Sequence, residues 1–185
     1  MTGNSWKTEM RNVMENYLKK VKRAKHGDTE AFAELYSEVY ENMYRFALYT
    51  LRNTSDAEDA VSEAVTDAFA TIHKLRTEDA FKSWIFRILS NKCKDKLRGY
   101  LQKEEELKEE TLQDEPEAGL TERIMVKNTF FELSDEERLI ISMHLFAGYT
   151  SREIADVLQM NENTVRSKES RGLKKMAGKL EDIRE

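Results

Sequence analysis

A single proline, Pro116, interrupts 185 residues, and only seven glycines accompany it. These two residues are the strongest breakers of helices. A chain so poor in them, with frequent Ala, Leu, Glu and Lys, is expected to be all-α. The proline falls within residues 101–120, LQKEEELKEETLQDEPEAGL, which carry a net charge of −6 and lose the helical spacing of apolar residues. This segment reads as an acidic linker, helical at most at its start, between two small helical domains. The expected boundaries are then 20–100 and 121–185 for the domains. Residues 1–19 form an N-terminal extension, either an added helix or an unstructured arm.

In the first domain, Phe32, Leu35, Tyr36, Val39, Met43, Phe46 and Ala47 recur at helical spacing after Gly27-Asp28. Asn53-Thr54-Ser55-Asp56 is a cluster of turn and cap residues. The next apolar series is mostly small: Ala57, Ala60, Val61, Ala64, Val65, Ala68, Phe69 and Ile72. Such a helix can approach its neighbours closely. Thr77 is the expected N-cap of a third helix over about 78–98, with Phe81, Trp84, Ile85, Ile88 and Leu89 on its apolar side.

In the second domain, helical spacing returns from Thr121 in Ile124, Met125, Phe130 and Phe131. Ser134-Asp-Glu-Glu137 and Thr150-Ser-Arg-Glu153 are two capping boxes. Between them an apolar run ends at Gly148, a suitable helix stop, and Asn161 can cap the last helix.

Composition excludes several classes. No apolar run approaches the roughly 18 residues of a membrane span. The first 20 residues have no apolar core or cleavage site, so no signal peptide is expected. The lone Cys93 rules out a disulfide framework and a Cys-rich zinc site, and a reducing cytoplasm is the expected compartment. No metal or other cofactor is expected. The histidines are scattered, and glycine-rich phosphate loops and Ser/His/Asp arrangements are absent, so the chain is not expected to be an enzyme.

The overall charge of −5 argues against nucleic acid, but its distribution argues for it. Residues 82–98 carry +5 and residues 161–179 carry +4, and a phosphate-facing surface needs only local positive charge. Residues 151–170 give a short helix, a tight turn at Gln159-Met160 and a longer basic helix. That is the spacing of a helix-turn-helix, in which Thr164, Arg166, Ser167, Ser170 and Arg171 would offer donors to bases and phosphates. An ordinary helical hairpin with a solvated basic face has the same spacing.

On the helix over 81–100, Arg87, Asn91, Lys94 and Arg98 share one stripe with Trp84 at its edge. Cations beside an aromatic suit unpaired bases, although a core tryptophan beside a solvated face gives the same pattern. An acidic ridge runs from Asp56 to Asp67 and suits docking to a basic partner, or is simply solvated. Nearby His73 is isolated, so the ridge is no metal site.

Four pieces in this order, GDTEAFAELY, DAEDAVSEAV, FKSWIFRILSNKCKDKLR and TSREIADVLQMNENTVRSKESRGLKKM, resemble the extracytoplasmic-function (ECF) group of bacterial sigma factors over about residues 20–180. The resemblance implies a two-domain helical factor that binds core RNA polymerase, at the β′ clamp helices and the β flap, and directs it to promoter DNA. It implies that Asp56, Asp59, Ser62 and Glu63 lie on the polymerase-binding face. Trp84, Arg87, Asn91, Lys92, Asp95 and Arg98 would melt and read the minus-ten element, with Lys94 beside them. Ser151, Arg152, Arg166, Ser167, Ser170 and Arg171, with Thr164, would contact the minus-thirty-five element. Ser62 stands where the family usually has Gln, and Glu169 and Gly172 also depart from its pattern. An anti-sigma protein, common in the family, is a further candidate partner.

Two other readings compete. One is an autonomous helix-turn-helix regulator, which would have no use for an acidic docking helix. The other is a helical adaptor or an enzyme. Isolated, the chain is expected to bind duplex DNA weakly and with a steep dependence on salt.

Overall fold

A computed structural model describes residues 5–103 and 120–182. These residues form helices, with no strand among them. The helices are α1 (Ser5–Lys25), α2 (Thr29–Leu51), α3 (Thr54–Thr71), α4 (Phe81–Lys103), α5 (Leu120–Phe131), α6 (Asp135–Ser142), α7 (Ser151–Leu158) and α8 (Glu162–Asp182). Two short 3₁₀ turns, Ile72–Lys74 and Glu78–Ala80, link α3 to α4, and a π-helical turn, Met143–Ala147, extends α6. Most of the acidic linker lies outside the described residues, but its first three belong to α4.

The cap residues act as their chemistry dictates. Asp28 accepts the Ala31 amide at 3.0 Å, and Asn53 accepts that of Asp56 at 2.8 Å. Ser134 with Glu137 and Thr150 with Glu153 close two reciprocal capping boxes. Asn161 accepts the Asn163 amide at 2.8 Å. Thr77 differs from expectation: its side chain makes no cap bond, and 78–80 wind as a 3₁₀ turn before α4 begins at Phe81.

Helices α2, α3 and α4 pack together, with α1 against α2 and the two 3₁₀ turns. Ala57, Ala60, Ala64 and Ala68 of α3 are fully buried, and their small side chains let α3 lie close to both neighbours. The apolar arc of α4 is wider than its spacing suggests. Phe86 is fully buried beside Phe46, while Trp84 and Ile88 sit only half-buried at the margin. Helix α1 continues across the 19/20 boundary. Its end buries Val21 and Ala24, and the earlier Trp6, Met10, Val13 and Met14 on the same side stand in solvent.

The second half is not a separate ball on a tether. Leu139, Ile140 and Met143 join the same core as α2 and α4, because α6 is packed between α2 and α8 and its C-terminal half is apolar on more than one side. Tyr49 of α2 meets the rings of Phe130, Phe131 and Phe146 at centroid distances of 5.5, 5.8 and 5.5 Å. Arg52, at the end of α2, lies over the Phe131 ring. The buried Tyr149 donates its hydroxyl proton to the carbonyl of Ser83 on α4. Arg138, nearly fully buried, donates to the Leu133 carbonyl and pairs with Asp135, so its charge is compensated.

Two backbone details position α8. Gln159 closes α7 in the left-handed region at φ 56°, where glycine is favoured. A Cβ on Gly172 would stand 2.8 Å from Ile141 Cδ1 and 3.5 Å from Glu137 Cβ, so its lack of a side chain lets α8 lie against α6. We expect Gln159→Gly to raise stability by about 0.5–1 kcal/mol in urea melts, by relieving the left-handed strain. Gly172→Ala should be nearly neutral, since Ile141 can rotate and Ala favours helix. Gly172→Arg should cost roughly 1–3 kcal/mol by overpacking.

Candidate nucleic-acid and partner interfaces

Three surfaces gather the residues singled out in the sequence. The first is the outer face of α3. Its acidic ridge is bridged to α4: Lys92 Nζ lies 2.9 Å from Asp67 and 3.4 Å from Glu63, and Lys96 Nζ lies 3.4 Å from Asp56 and 3.7 Å from Asp59. Tyr100 also donates to Asp56, and burial together with that carboxylate pushes the phenol above its ordinary pKa. Hydrogen bonding to Asp67 leads the causes that raise the Lys92 pKa, so this ammonium stays charged.

Asp56 is therefore engaged within the chain, while Asp59 and Glu63 keep most of their exposure, 65% and 52%. Ser62 lies beside them and lines a groove between α2 and α3 with Tyr36, Tyr40, Tyr44, Glu58 and Val61. Sequence reasoning missed this groove. Its signal was the i, i+4, i+8 spacing of the three tyrosines.

The second surface is the α4 stripe. Arg87, Asn91, Asp95 and Arg98 are exposed, and Lys94 is half-buried. Arg98 pairs with Asp95 at 3.4 Å, whereas among the described residues no ion pair holds Arg87 or Lys94. Trp84 is held by Phe81, with ring centroids 6.2 Å apart, and keeps one part of its ring accessible. The core reading and the stacking reading of Trp84 are thus compatible. Lys92, which joins this set only through the family resemblance, points its ammonium to α3.

The third surface is the start of α8. Ile154, Ala155 and Val165 are buried where α7 meets α8, which fixes the angle between the two helices. Arg166, Ser167, Ser170 and Arg171 are exposed on one side, and Thr164 is half-buried. Arg166 rests on Glu162 at 2.5 Å, and Arg171 Nε donates to the Ser167 carbonyl at 3.3 Å. Both are exposed arrangements that a phosphate or a base can replace at little cost. Ser151 and Arg152 open α7 at the same end of the motif. Glu169 faces His144 at 3.4 Å, so its carboxylate is turned toward the π-helical turn.

Among the described residues, no group of three or more His, Cys, Asp or Glu could hold a metal, and no helix is long and apolar enough to cross a membrane. Burial pushes the Cys93 thiol well above its ordinary pKa.

Residues 27–101 match the family described as Sigma-70 region 2, and residues 130–176 match Sigma-70, region 4. The chain is 28% identical to the ECF RNA polymerase sigma factor SigM of Mycobacterium tuberculosis, over 82% of this chain and 78% of that protein. It is 25% identical to the ECF RNA polymerase sigma factor SigW of Bacillus subtilis, over 92% of this chain and 100% of that protein. Among solved structures, the fold matches the sigma factor RpoE in complex with the anti-sigma factor NepR from Bartonella quintana. The TM-score is 0.72 at 20% identity, covering 83% of this chain and 98% of that one. It also matches CnrH in complex with the cytosolic domain of CnrY, with a TM-score of 0.66 at 21% identity, covering 90% of this chain and 97% of that one.

The bridged ridge yields a prediction. Lys92→Met should lower stability by less than about 1 kcal/mol, because both partner carboxylates are half exposed. Thermal melts at low and high salt should converge for the variant and the parent, since salt weakens the pair in the parent.

Proposed function

The chain belongs to the ECF group of RNA polymerase sigma factors, and from that membership we infer that it binds core polymerase and directs promoter-specific initiation of transcription. The observation that carries this reading is the match to both sigma regions, in order, with each matched region carrying an exposed basic surface. The domains proposed are 20–100 for core binding and the minus-ten element, and 121–185 for the minus-thirty-five element, joined by 101–120. An autonomous regulator is not favoured. We assign the protein no catalytic role of its own, since the chemistry of RNA synthesis belongs to the polymerase, and we place it in the cytoplasm with that enzyme.

Asp59, Ser62 and Glu63, with Asp56 behind them, form the face offered to the β′ clamp helices. The tyrosine groove adds an apolar component to it. On α4, Arg87, Asn91, Lys94 and Arg98 track the backbone of the opened minus-ten strand. The accessible part of the Trp84 ring is the surface on which an unpaired base stacks. Lys92 and Asp95 act beside them, Lys92 chiefly by holding α4 to the polymerase-binding helix. On α8, Thr164, Arg166, Ser167, Ser170 and Arg171 enter the major groove at the minus-thirty-five element, with Ser151 and Arg152 on the flanking phosphates. The β flap is the partner proposed for this second half. An anti-sigma protein is a further proposed partner, since RpoE, which shares the fold, is solved in complex with the anti-sigma factor NepR.

Reversing Asp59 and Glu63 together to Arg should weaken assembly with core polymerase while leaving the helical circular dichroism unchanged. Equal affinity in the double variant would remove α3 from the interface. Trp84→Ala and Asn91→Ala should initiate poorly on duplex promoters and be rescued on a promoter pre-melted at the minus-ten element. Arg166→Ala and Arg171→Ala should not be rescued. Losing a bidentate base contact should cost about 1–3 kcal/mol and relax selectivity at one position, whereas losing a phosphate contact should weaken all promoters alike. Wild-type efficiency and selectivity in both arginine variants would overturn the α8 assignment.

A further inference from the structure

We propose that the free half of α1 is a self-association surface, on which two copies of the chain pair antiparallel through Trp6, Met10, Val13 and Met14. These residues precede both matched sigma regions, and the pairing does not depend on the proposed polymerase or promoter contacts.

Helix α1 carries one apolar stripe along its whole length. Trp6, Met10, Val13, Tyr17, Val21 and Ala24 recur at steps of three and four, with Met14 alongside, and at about 100° per residue they share one side. Among the described residues, the chain covers only the second half of this stripe. Tyr17 packs against the core and Val21 and Ala24 are buried, whereas every residue from 6 to 16 is exposed. Trp6 is 57% exposed, Met10 66%, Val13 66% and Met14 56%, so nothing described shields their apolar side. A helical segment this short is marginal in water unless its apolar face is packed. The four side chains together offer an apolar patch on the order of 500 Å², near the top of the range for a monomer and large enough to mark an interaction site.

Charge and area select the occupant. Residues 5–18 hold Lys7 and Arg11 against Glu9 and Glu15, so this half of the helix has no net charge, and the whole chain carries −5. An anionic lipid surface or a nucleic acid draws a helix whose polar face is rich in Lys and Arg, which this one is not. A second copy requires no net charge, and it brings an identical apolar stripe. Two such patches, with the methylenes that flank them, bury on the order of 1,000 Å² in total, the size of a weak but specific contact between proteins.

The antiparallel direction follows from where the stripe is already occupied. In a parallel pair, both protein bodies lie at the same end of the seam, where each stripe is covered by its own chain from Tyr17 onward. An antiparallel pair centred at the level of Asn12 puts the bodies at opposite ends. It sets Met10 of one copy opposite Met14 of the other, and Trp6 opposite Leu18. Glu9, Arg11 and Glu15 lie outside the stripe, so the seam buries no carboxylate or guanidinium. The Lys7 ammonium, 5.6 Å from the centre of the Trp6 ring, stays at the rim.

Sedimentation equilibrium of the full chain, from low micromolar to near-millimolar concentration, tests the pairing. It should show a reversible monomer–dimer equilibrium that added salt weakens little, since the seam is apolar. Met10→Glu and Met14→Lys each place a charge in the seam and should weaken pairing by about tenfold or more, while circular dichroism stays helical. An equimolar mixture of the two variants should pair again. The antiparallel seam then holds one carboxylate–ammonium pair and one Met–Met pair, whereas a parallel seam would set each new charge against a methionine. A parent chain that stays monomeric at the highest concentration, or dimers that persist in both variants, would overturn the proposal. Failure of the mixture to pair would overturn the antiparallel seam. Binding of the parent to phosphatidylglycerol vesicles at dilutions where it is monomeric, lost in both variants, would give the stripe to a lipid surface instead.

Discussion

The burial of α6 between α2 and α8 is the constraint on which the rest of the arrangement depends. Eight residues carry Leu139, Ile140 and Ile141 on different sides, and all three are buried. One side completes the core begun by α2, α3 and α4. Another receives α8 at Gly172, where a side chain would not fit without displacement of Ile141. Its two buried charges are each paired, Arg138 with Asp135 and Glu137 with Lys175. Burial would raise the pKa of Glu137, but hydrogen bonds from Lys175 and Ser134 outweigh it and hold the carboxylate below its usual range. Through α6, the position of the helix-turn-helix is coupled to the first half of the chain.

Charge is handled in the same economical way. Six polar residues of α4 divide into two groups. Lys92 and Lys96 turn inward to the carboxylates of α3 and hold the two helices together, while Arg87, Asn91, Lys94 and Arg98 remain outward. One helix thereby joins the face proposed for polymerase to the face proposed for the opened strand.

Much of this was legible in the residues. Asn53, Ser134, Thr150 and Asn161 have side chains that compete for backbone amides, and each caps where its chemistry says it should. The small-residue series of α3 announced a closely packed helix. The helix-turn-helix was readable from Ile154, Ala155 and Val165, even with Gln159 in place of a glycine at the turn. What escaped was tertiary. Thr77 has the right side chain for a cap, but a 3₁₀ turn follows it. Phe86 lies off the narrow apolar stripe and is buried because α4 has neighbours on several sides. The inward turn of Lys92 depends on α3 lying beside it, which no local spacing reveals. The run Leu139-Ile140-Ile141 was the one visible sign that the C-terminal half of α6 would be buried on more than one side, since three consecutive apolar residues cannot share one narrow stripe.

As a sigma factor, this chain gives core RNA polymerase its choice of promoter. The most direct measurement is transcription in vitro with core enzyme and a randomised library of promoter sequences, reading the 5′ ends of the transcripts. Transcripts should arise only when the protein is added, from templates sharing one element near minus ten and another near minus thirty-five. Their selection should be blurred at the second element by loss of Arg166 or Arg171. Transcripts independent of the protein, or start sites with no shared pair of elements, would contradict it.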